Sequence, residues 1–350
     1  MHTMSNANAP IYTRSTAQIT ALLADLGQPK FRLNQLLDWL YVRQAKSYDE
    51  MTNLPIPLRE QLAKAAPIVP LTIDDRRVSA DGTRKYLFAL HDGLVVETVG
   101  IPSGSADAPR LTVCFSTQVG CAMGCAFCAT GEEGFTRNLG MGEIICQVLE
   151  VQRDFGCRVT NLVAMGQGEP FANYEMVLDA LRVLNNPKGI AIGARKITVS
   201  TSGIISGIRK FAAEPQQFTL AVSLHCARQA ERNLMMPGLA GQPLRELRGA
   251  LFDYVQATNR RVTLEYLMMA GTNDRDEDLE ALLAFCDGLL CHVNLLPLNP
   301  IAHSALKPSK DATIARWIEA LEGVGVEATV RRSRGSDIQG ACGQLKNARG

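Results

Sequence analysis

Four cysteines lie close together in the stretch CFSTQVGCAMGCAFC, which runs from Cys114 to Cys128. Three of them, Cys121, Cys125 and Cys128, follow the spacing C-x3-C-x2-C. A structural zinc site usually takes four ligands from two separated pairs, and no second C-x2-C pair stands nearby. Three thiolates can instead hold a [4Fe–4S] cluster and leave one iron free to bind another molecule. The spacing therefore favours an iron–sulfur cluster, with a zinc site as the alternative.

The triplet, with Phe127 before its last cysteine, resembles the cluster motif of the radical S-adenosylmethionine (SAM) superfamily. This resemblance implies SAM as a second cofactor. In the stretch GQGEP, Gly168 lets the backbone approach a ligand, and Glu169 can accept hydrogen bonds from the methionyl amine of SAM. Further candidates for holding SAM are Ser200, Ser223, Leu224, His225 and Asn299. Ordinary loop polarity is the alternative for each alone, but their recurrence where predicted strands end favours the cofactor.

Two further cysteines stand outside the triplet. Cys114 ends the predicted strand that leads into the cluster, and Cys342 lies between small residues in the Gly-rich stretch DIQGACGQL. We expect the C-terminal segment to return to the mouth of the fold and to bring Cys342 to the cluster. Two thiols beside a radical-generating cofactor suggest covalent handling of a methyl group with disulfide exchange.

The elements that must position these residues are alternating strands and helices. After about residue 110, amphipathic helical stretches separate most of the apolar strand-like runs, which are RLTVCFS, TNLVAMG, RKITVSTS, FTLAVSLH, RVTLEYLM, CHVNLLPLN and VEATVRR. Continuous apolar strands between helices imply a parallel sheet covered by helices. The number of units falls short of eight, so we predict an α/β fold, a partial (β/α) barrel of the radical SAM type. Such folds gather their chemistry at the carboxyl ends of the strands.

The chain divides into four predicted segments. These are a disordered leader at 1–14, a small N-terminal helical domain at 15–68, an antiparallel β-hairpin connector at 69–109, and the barrel at 110–347. The barrel segment includes the C-terminal stretch with Cys342. The helical domain is either a stability cap or an RNA-gripping module, and it carries the cations Lys30, Arg32, Arg43, Lys46, Arg59 and Lys64.

Bulk composition describes an ordinary globular chain of 350 residues, 46% hydrophobic and 20% charged. We see no apolar run long enough to span a membrane and no secretory signal at the start, so we expect a reduced, cytoplasmic compartment. The net charge of +1 gives no global argument for a polyanionic partner. The scattered cysteines are expected to be plain core or surface thiols: Cys146, Cys157, Cys226, Cys286 and Cys291.

Most of the chain, from the first helix to ACGQL, closely resembles the RNA adenine C2-methyltransferase family, radical SAM enzymes that act on large-subunit rRNA and tRNA. The motifs that carry the resemblance are VETV, STQVGCAMGCAFCATGEEGFTRNL, MGQGEP, TVSTSG, AVSLH, LLPLNP and RGSDIQGACGQL. One departure is Gln167, where the family pattern has methionine, and we expect it to alter packing over the cluster. A second is the longer link GIPSGSADAPRL before Cys114.

The resemblance implies a mechanism with two SAM molecules per turnover. Carbon 2 of adenine is electron-poor, so it does not attack the SAM methyl group directly. Cys342 would accept a methyl group from one SAM, and cleavage of the second at the cluster would activate that group for addition to the base. Glu97 would then remove the proton from carbon 2, and Cys114 would attack Cys342 to release the product as a disulfide forms.

The resemblance also implies the partners. These are 23S rRNA at the peptidyl-transferase loop, tRNA on the 3′ side of the anticodon, and an electron donor of the flavodoxin or ferredoxin type; a monomer is expected. Arg331, Arg332 and Arg334 form either a phosphate grip or a solvated strand edge.

Three other functions stay open. A C8-methylating rRNA resistance enzyme shares the cluster motif and both special cysteines. A non-catalytic iron–sulfur redox protein would need neither the SAM loops nor the paired cysteines. A zinc-stabilised RNA-binding module would be colourless and indifferent to reductant.

Overall fold

The computed structural model describes residues 9–105, 107–301 and 304–347. The N-terminal region is helical, as predicted, with α1 at Thr16–Asp25, α2 at Phe31–Leu37 and α3 at Ile56–Ala65. The Ser15 hydroxyl caps α1 by accepting from the backbone N–H of Gln18, whose side chain accepts from the Ser15 N–H in return. Helix α2 continues into a π-helical turn at Asp38–Val42.

The predicted disordered leader is wrong for residues 9–14. Ile11 and Tyr12 are only 0% and 2% exposed and belong to the hydrophobic core. The Ile11 N–H donates to the Pro67 carbonyl at 3.0 Å, and the Tyr12 ring packs against Tyr41 at 5.9 Å between centroids. Burial of these two apolar side chains stabilises an ordered chain, so this part of the predicted leader belongs to the folded helical domain. The remainder of the predicted leader, residues 1–8, lies outside the described residues.

Within the described residues, ten strands form one sheet in the order β1-β2-β3-β4-β7-β8-β9-β10-β11-β12. The strands are β1 Thr72–Val78, β2 Arg84–Ala89, β3 Val95–Ser105, β4 Ala108–Cys114, β7 Asn161–Ala164, β8 Ile197–Thr201, β9 Thr219–Ser223, β10 Val262–Met268, β11 Cys291–Pro297 and β12 Glu327–Val330. From β4 to β12 every pairing is parallel, whereas β1, β2 and β3 extend the sheet in antiparallel fashion. The predicted α/β partial barrel is confirmed.

Helices connect and cover the parallel strands. They are α5 Met141–Phe155, α6 Tyr174–Asn185, α7 Ile205–Ala212, α8 Gln229–Met235, α9 Leu244–Thr258, α10 Asp276–Cys286 and α11 Asp311–Gly323. Aromatic contacts show the packing: Trp317 of α11 lies 5.2 Å from Tyr266 of β10, between ring centroids. None of the helices in the described part of the chain has the length and apolar content that a bilayer crossing requires.

Three short elements frame the cysteine loop. Strands β5 Gln118–Gly120 and β6 Phe135–Asn138 pair antiparallel in a separate two-stranded sheet, and helix α4 spans Ala129–Glu132 between them. The three clustered cysteines of the C-x3-C-x2-C motif therefore sit inside a loop whose two ends are held together.

Candidate active site

The cysteine loop is closed at its base by a contact that only glycine permits. The backbone N–H of Cys121 donates to the Gly134 carbonyl at 2.8 Å. Gly120 has a φ of +75°, and a Cβ there would stand 1.9 Å from the same Gly134 oxygen. A side chain at Gly120 would therefore break the closure, since no atom tolerates that approach.

Cys121, Cys125 and Cys128 line one cavity of about 170 Å³ at the carboxyl ends of the parallel strands. Burial raises the pKa of all three thiols, that of Cys121 to about 11. Iron would therefore have to displace protons to bind them as thiolates.

The donor set of this cavity fits an iron–sulfur cluster. Three soft thiol donors face one space, and each can bind a different iron of a [4Fe–4S] cluster while the fourth iron stays free. A structural zinc site usually takes four ligands. The residues present therefore fit the cluster.

Five of the seven residues predicted to hold SAM line this cavity: Gly168, Glu169, Ser200, Ser223 and His225. Gly168 has a φ of +99°, and a Cβ there would lie 2.6 Å from the Gln118 side chain. Glycine is therefore required at position 168 for two reasons: the positive φ angle of the loop and the close approach of the backbone to Gln118 of β5.

The Glu169 carboxylate is held by four donors. Its Oε1 accepts from the Thr201 hydroxyl at 2.8 Å and the Phe171 N–H at 2.9 Å, and its Oε2 accepts from both the N–H and the hydroxyl of Ser202 at 2.6 Å. Burial raises the pKa of Glu169, and these bonds oppose the rise. The residues of TVSTSG therefore orient this carboxylate as well as lining the cavity.

His225 is a neutral imidazole in this site. Burial, with the nearby Arg232 cation, lowers its pKa to about 3. Its Nδ1 accepts from the Leu267 N–H at 3.1 Å, and its ring meets Phe127 edge-on at 4.9 Å. The residue therefore links the strand end of β9 to the cysteine loop.

The two other predicted SAM residues do not line the cavity in the described structure. Leu224 is fully buried, and its carbonyl accepts from Nε of Arg232 at 3.1 Å. The Asn299 amide donates to the Ser333 hydroxyl at 2.8 Å and to the Cys342 carbonyl at 3.1 Å. In this structure each of them supports a neighbouring segment, and their contact with SAM stays a prediction.

The C-terminal segment returns to the barrel mouth, as predicted. The Ala129 N–H donates to the Gly343 carbonyl at 2.8 Å, and the Thr130 hydroxyl donates to the Leu345 carbonyl at 2.7 Å. The segment is therefore fastened across the helical turn that follows Cys128. Cys342 lies on the wall of the cluster cavity.

A second cavity, of about 230 Å³, contains Cys342 and Cys114 together. Cys114 is 7% exposed, and burial, followed by the proximity of Cys342, raises its pKa to about 12. All ten cysteines lie in the described part of the chain and are free. The two special thiols thus share one space in their reduced form.

Glu97, the predicted base, is a buried carboxylate on β3. It is 1% exposed and is absent from the described lining of both cavities. Its Oε1 lies 2.9 Å from Nζ of Lys85, and its Oε2 accepts from the backbone N–H of Lys346 at 2.8 Å. Burial raises the pKa of Glu97, and Lys85 opposes the rise. The bond from the Lys346 N–H thus joins the carboxylate to the segment that carries Cys342.

Two further side chains singled out in the sequence lie beside the cavities. The buried side-chain oxygen of Gln167 accepts from the Glu97 N–H at 2.9 Å. Arg331 lines both cavities. Its Nη1 lies 3.3 Å from the Met165 sulfur and 3.9 Å from Glu265 Oε2, between the two cavities.

Sequence reasoning missed several residues of the site. Glu265 lines the cluster cavity. The sequence signal that could have identified it is a single carboxylate within the mostly apolar predicted strand RVTLEYLM. Arg232 is fully buried on α8, and its guanidinium donates to the carbonyls of Ser202 and Leu224. Burial lowers its pKa to about 10. Nothing in QAERNLM distinguishes this arginine from a surface residue.

A partial barrel whose first parallel strand leads into a C-x3-C-x2-C loop at the mouth defines a radical SAM enzyme. The family profile of the Radical SAM superfamily matches residues 115–286, and the profile described as the ribosomal RNA large subunit methyltransferase N-terminal domain matches residues 11–68. These two matches cover the cluster domain and the helical domain separately.

Whole-chain comparisons define the family. The probable dual-specificity RNA methyltransferase RlmN of Heliobacterium modesticaldum is 44% identical over 95% of this chain and 88% of its own length. That of Synechococcus elongatus is 46% identical over 96% and 93%. A crystal structure of a radical SAM methyltransferase from Sphaerobacter thermophilus, at 44% identity, matches with a TM-score of 0.91 over 97% of this chain and 100% of that one. The chain belongs to the RlmN family of radical SAM RNA methyltransferases.

Proposed function

We propose that this chain methylates carbon 2 of an adenosine in 23S rRNA and in tRNA, with Cys342 as the methyl carrier. One observation carries the proposal: the segment with Cys342 is fastened across the cysteine loop, and Cys342 shares a cavity with Cys114. A structural zinc module or an electron carrier would have no use for a thiol pair in that position.

Cys121, Cys125 and Cys128 would hold the [4Fe–4S] cluster, and the cavity residues around Glu169 would orient SAM. When bound, these groups supply the methyl group and the one-electron chemistry that activates it. Cleavage of SAM would need one electron, for which we propose a donor of the flavodoxin or ferredoxin type, and the disulfide formed at the end of the reaction would need two electrons from a reductant to return to thiols. Ribosomal RNA and tRNA as substrates imply a cytoplasmic enzyme.

The chain's own residues complete the reaction. Cys342 carries the methyl carbon to carbon 2 of the adenine, and Glu97 accepts the proton that leaves carbon 2. The Cys114 thiolate then attacks the Cys342 sulfur, so that the disulfide forms and the bond from Cys342 to the transferred carbon breaks. The electron pair of that bond stays with the carbon on the adenine, which takes up a proton to become the methyl group. The thiol pKa of Cys114, about 12 at rest, requires that it lose its proton before this step.

RNA has a candidate platform on the helical domain. The Arg32 guanidinium stacks on the Phe31 ring at 4.9 Å, and that of Arg43 lies over the partly buried Trp39 ring at 4.6 Å. Phe31 is 54% exposed although it is a large apolar side chain. An exposed aromatic ring beside arginines suits unpaired bases and their phosphates.

The experiment is a covalent trap. We expect Cys114→Ala, incubated anaerobically with cluster, SAM, reductant and unmodified tRNA, to accumulate an RNA–protein adduct that migrates slowly on a denaturing gel. Cys342→Ala should give neither adduct nor methylated RNA, although its iron content and SAM affinity match those of the wild type. Methylated RNA from Cys342→Ala would refute the carrier role.

A further inference from the structure

We infer that Lys85 is a positioning residue for Glu97, holding one oxygen of the carboxylate so that the other is presented as the base. This inference rests on the proposed function, in which Glu97 accepts the proton from carbon 2. The observation behind it is an ion pair that is closed to solvent: Lys85 is 4% exposed and Glu97 is 1% exposed, with Nζ and Oε1 2.9 Å apart.

The hairpin register creates this pair. On adjacent strands β2 and β3, Lys85 faces Val99 and Leu87 faces Glu97, so that Lys85 and Glu97 are diagonal neighbours on one face of the sheet. A buried charge without a partner is strongly unfavourable, and removal of one member of a buried pair leaves the other uncompensated. The ammonium therefore favours the ionised carboxylate, the form a base requires.

The partners of Glu97 differ in how easily they can be released. Its backbone N–H donates to Gln167, and its carbonyl accepts from the Ser116 hydroxyl at 2.5 Å. These two bonds and the ion pair connect Glu97 to a neighbouring strand and to the loops that follow β4 and β7. The bond from the Lys346 N–H to Oε2 is different, because Lys346 lies four residues after Cys342 on the C-terminal segment.

Release of that segment would expose Oε2 while Oε1 stays on Lys85. The proton from carbon 2 would then pass to Oε2, and the electron pair of the broken C–H bond would remain in the adenine ring. Delivery of the methyl carrier by Cys342 and exposure of the base would thus be the same movement.

Other charges near Glu97 are weaker candidates for this role. The Arg77 cation on β1 also favours the ionised carboxylate, and Glu133 after α4 repels it. The ammonium of Lys346 pairs with Glu132 at 3.2 Å and is 43% exposed. Only its backbone N–H, which any residue supplies, is bonded to Glu97. Lys346→Ala is therefore the matched control, since it removes a lysine ammonium but keeps the bond.

The test is the pH dependence of single-turnover methylation. Loss of the ammonium in Lys85→Met should make Glu97 harder to ionise, so the acid limb of the profile should move to higher pH by one unit or more. At a pH on that limb the rate should fall about 10-fold, and it should recover toward the wild-type rate at higher pH. Lys85→Arg should restore most of the wild-type profile, and Lys346→Ala should leave the acid limb at the wild-type pH, because the Lys346 ammonium pairs with Glu132.

Folding is checked with a second variant. Lys85→Met alone leaves the buried Glu97 carboxylate without its cation. The double variant Lys85→Met/Glu97→Gln has no charge at either of the two positions. The double variant should therefore have the higher melting temperature at pH 8. A melting temperature equal to or below that of the single variant would contradict the buried ion pair.

The outcomes distinguish a failure of the positioning role of Lys85 from a failure of the proposed function. A Lys85→Met profile that superimposes on the wild type overturns the positioning role, provided that Glu97→Gln is inactive. If Glu97→Gln methylates RNA at the wild-type rate, or if the wild type makes no methylated base, the proposed function itself fails, and the melting comparison still tests the pair.

Discussion

Gly120→Ala and Gly134→Ala form a matched pair that tests how the cysteine loop is held. Their φ angles are +75° and +71°, so an alanine at either position pays the same left-handed strain, about 1–2 kcal/mol. The surroundings differ. A Cβ at Gly134 meets nothing within 4 Å, whereas one at Gly120 would stand 1.9 Å from the Gly134 oxygen.

That oxygen accepts the Cys121 N–H at 2.8 Å, so Gly120→Ala must also break this bond. Loss of this partly buried backbone bond costs about 1–3 kcal/mol in addition to the strain. A difference near 2 kcal/mol corresponds to about a 30-fold smaller population of the closed loop.

The assay is iron and sulfide content per chain after anaerobic reconstitution, with the melting temperature and far-ultraviolet circular dichroism as controls for the fold. We expect Gly134→Ala to keep most of its iron and Gly120→Ala to lose most of it while the barrel stays folded. Equal iron content in the two variants would refute the closure at Gly120.

Two further predictions concern SAM and RNA. Ser202→Ala removes one donor from the Glu169 carboxylate, whose pKa is already raised by burial, so this carboxylate should protonate at higher pH than in the wild type. The affinity for SAM, measured by calorimetry, should therefore begin to fall at a higher pH when the solution is acidified. An identical pH dependence in the two proteins would contradict the role of this bond. Phe31→Ala should weaken tRNA binding about 5-fold or more without changing the salt dependence, because it removes an exposed stacking surface and no charge, whereas Arg32→Ala should reduce the salt slope. Unchanged affinity in Phe31→Ala, measured by fluorescence anisotropy, would remove this ring from the RNA platform.

The parts of the fold that sequence predicts well are those set by local pattern. The apolar runs that alternate with amphipathic helices are the parallel strands of the structure, and the candidate loops do gather at one end. The return of Cys342 to the cluster was predictable for a different reason: Cys114 ends the strand that leads into the cluster, and the C-terminal segment was expected to cover the mouth of the barrel.

The parts that could not be predicted depend on long-range packing. The contact of Lys85 with Glu97 follows from a strand register that no single strand encodes. Arg331 belongs to a run of arginines typical of a surface, yet the packing of β12 directs it to Glu265 and Met165. Ile11 lay in a polar leader, and only the neighbouring core explains its burial.

The most direct test of the central claim is nucleoside mass spectrometry after anaerobic turnover. The reconstituted protein would be incubated with SAM, reductant and unmodified 23S rRNA or tRNA, and the digested RNA compared with authentic standards. The account predicts 2-methyladenosine, formed by the wild type and absent with Cys342→Ala. The appearance of 8-methyladenosine in its place would contradict the C2 assignment, and SAM cleavage without any methylated base would contradict the proposed RNA substrates.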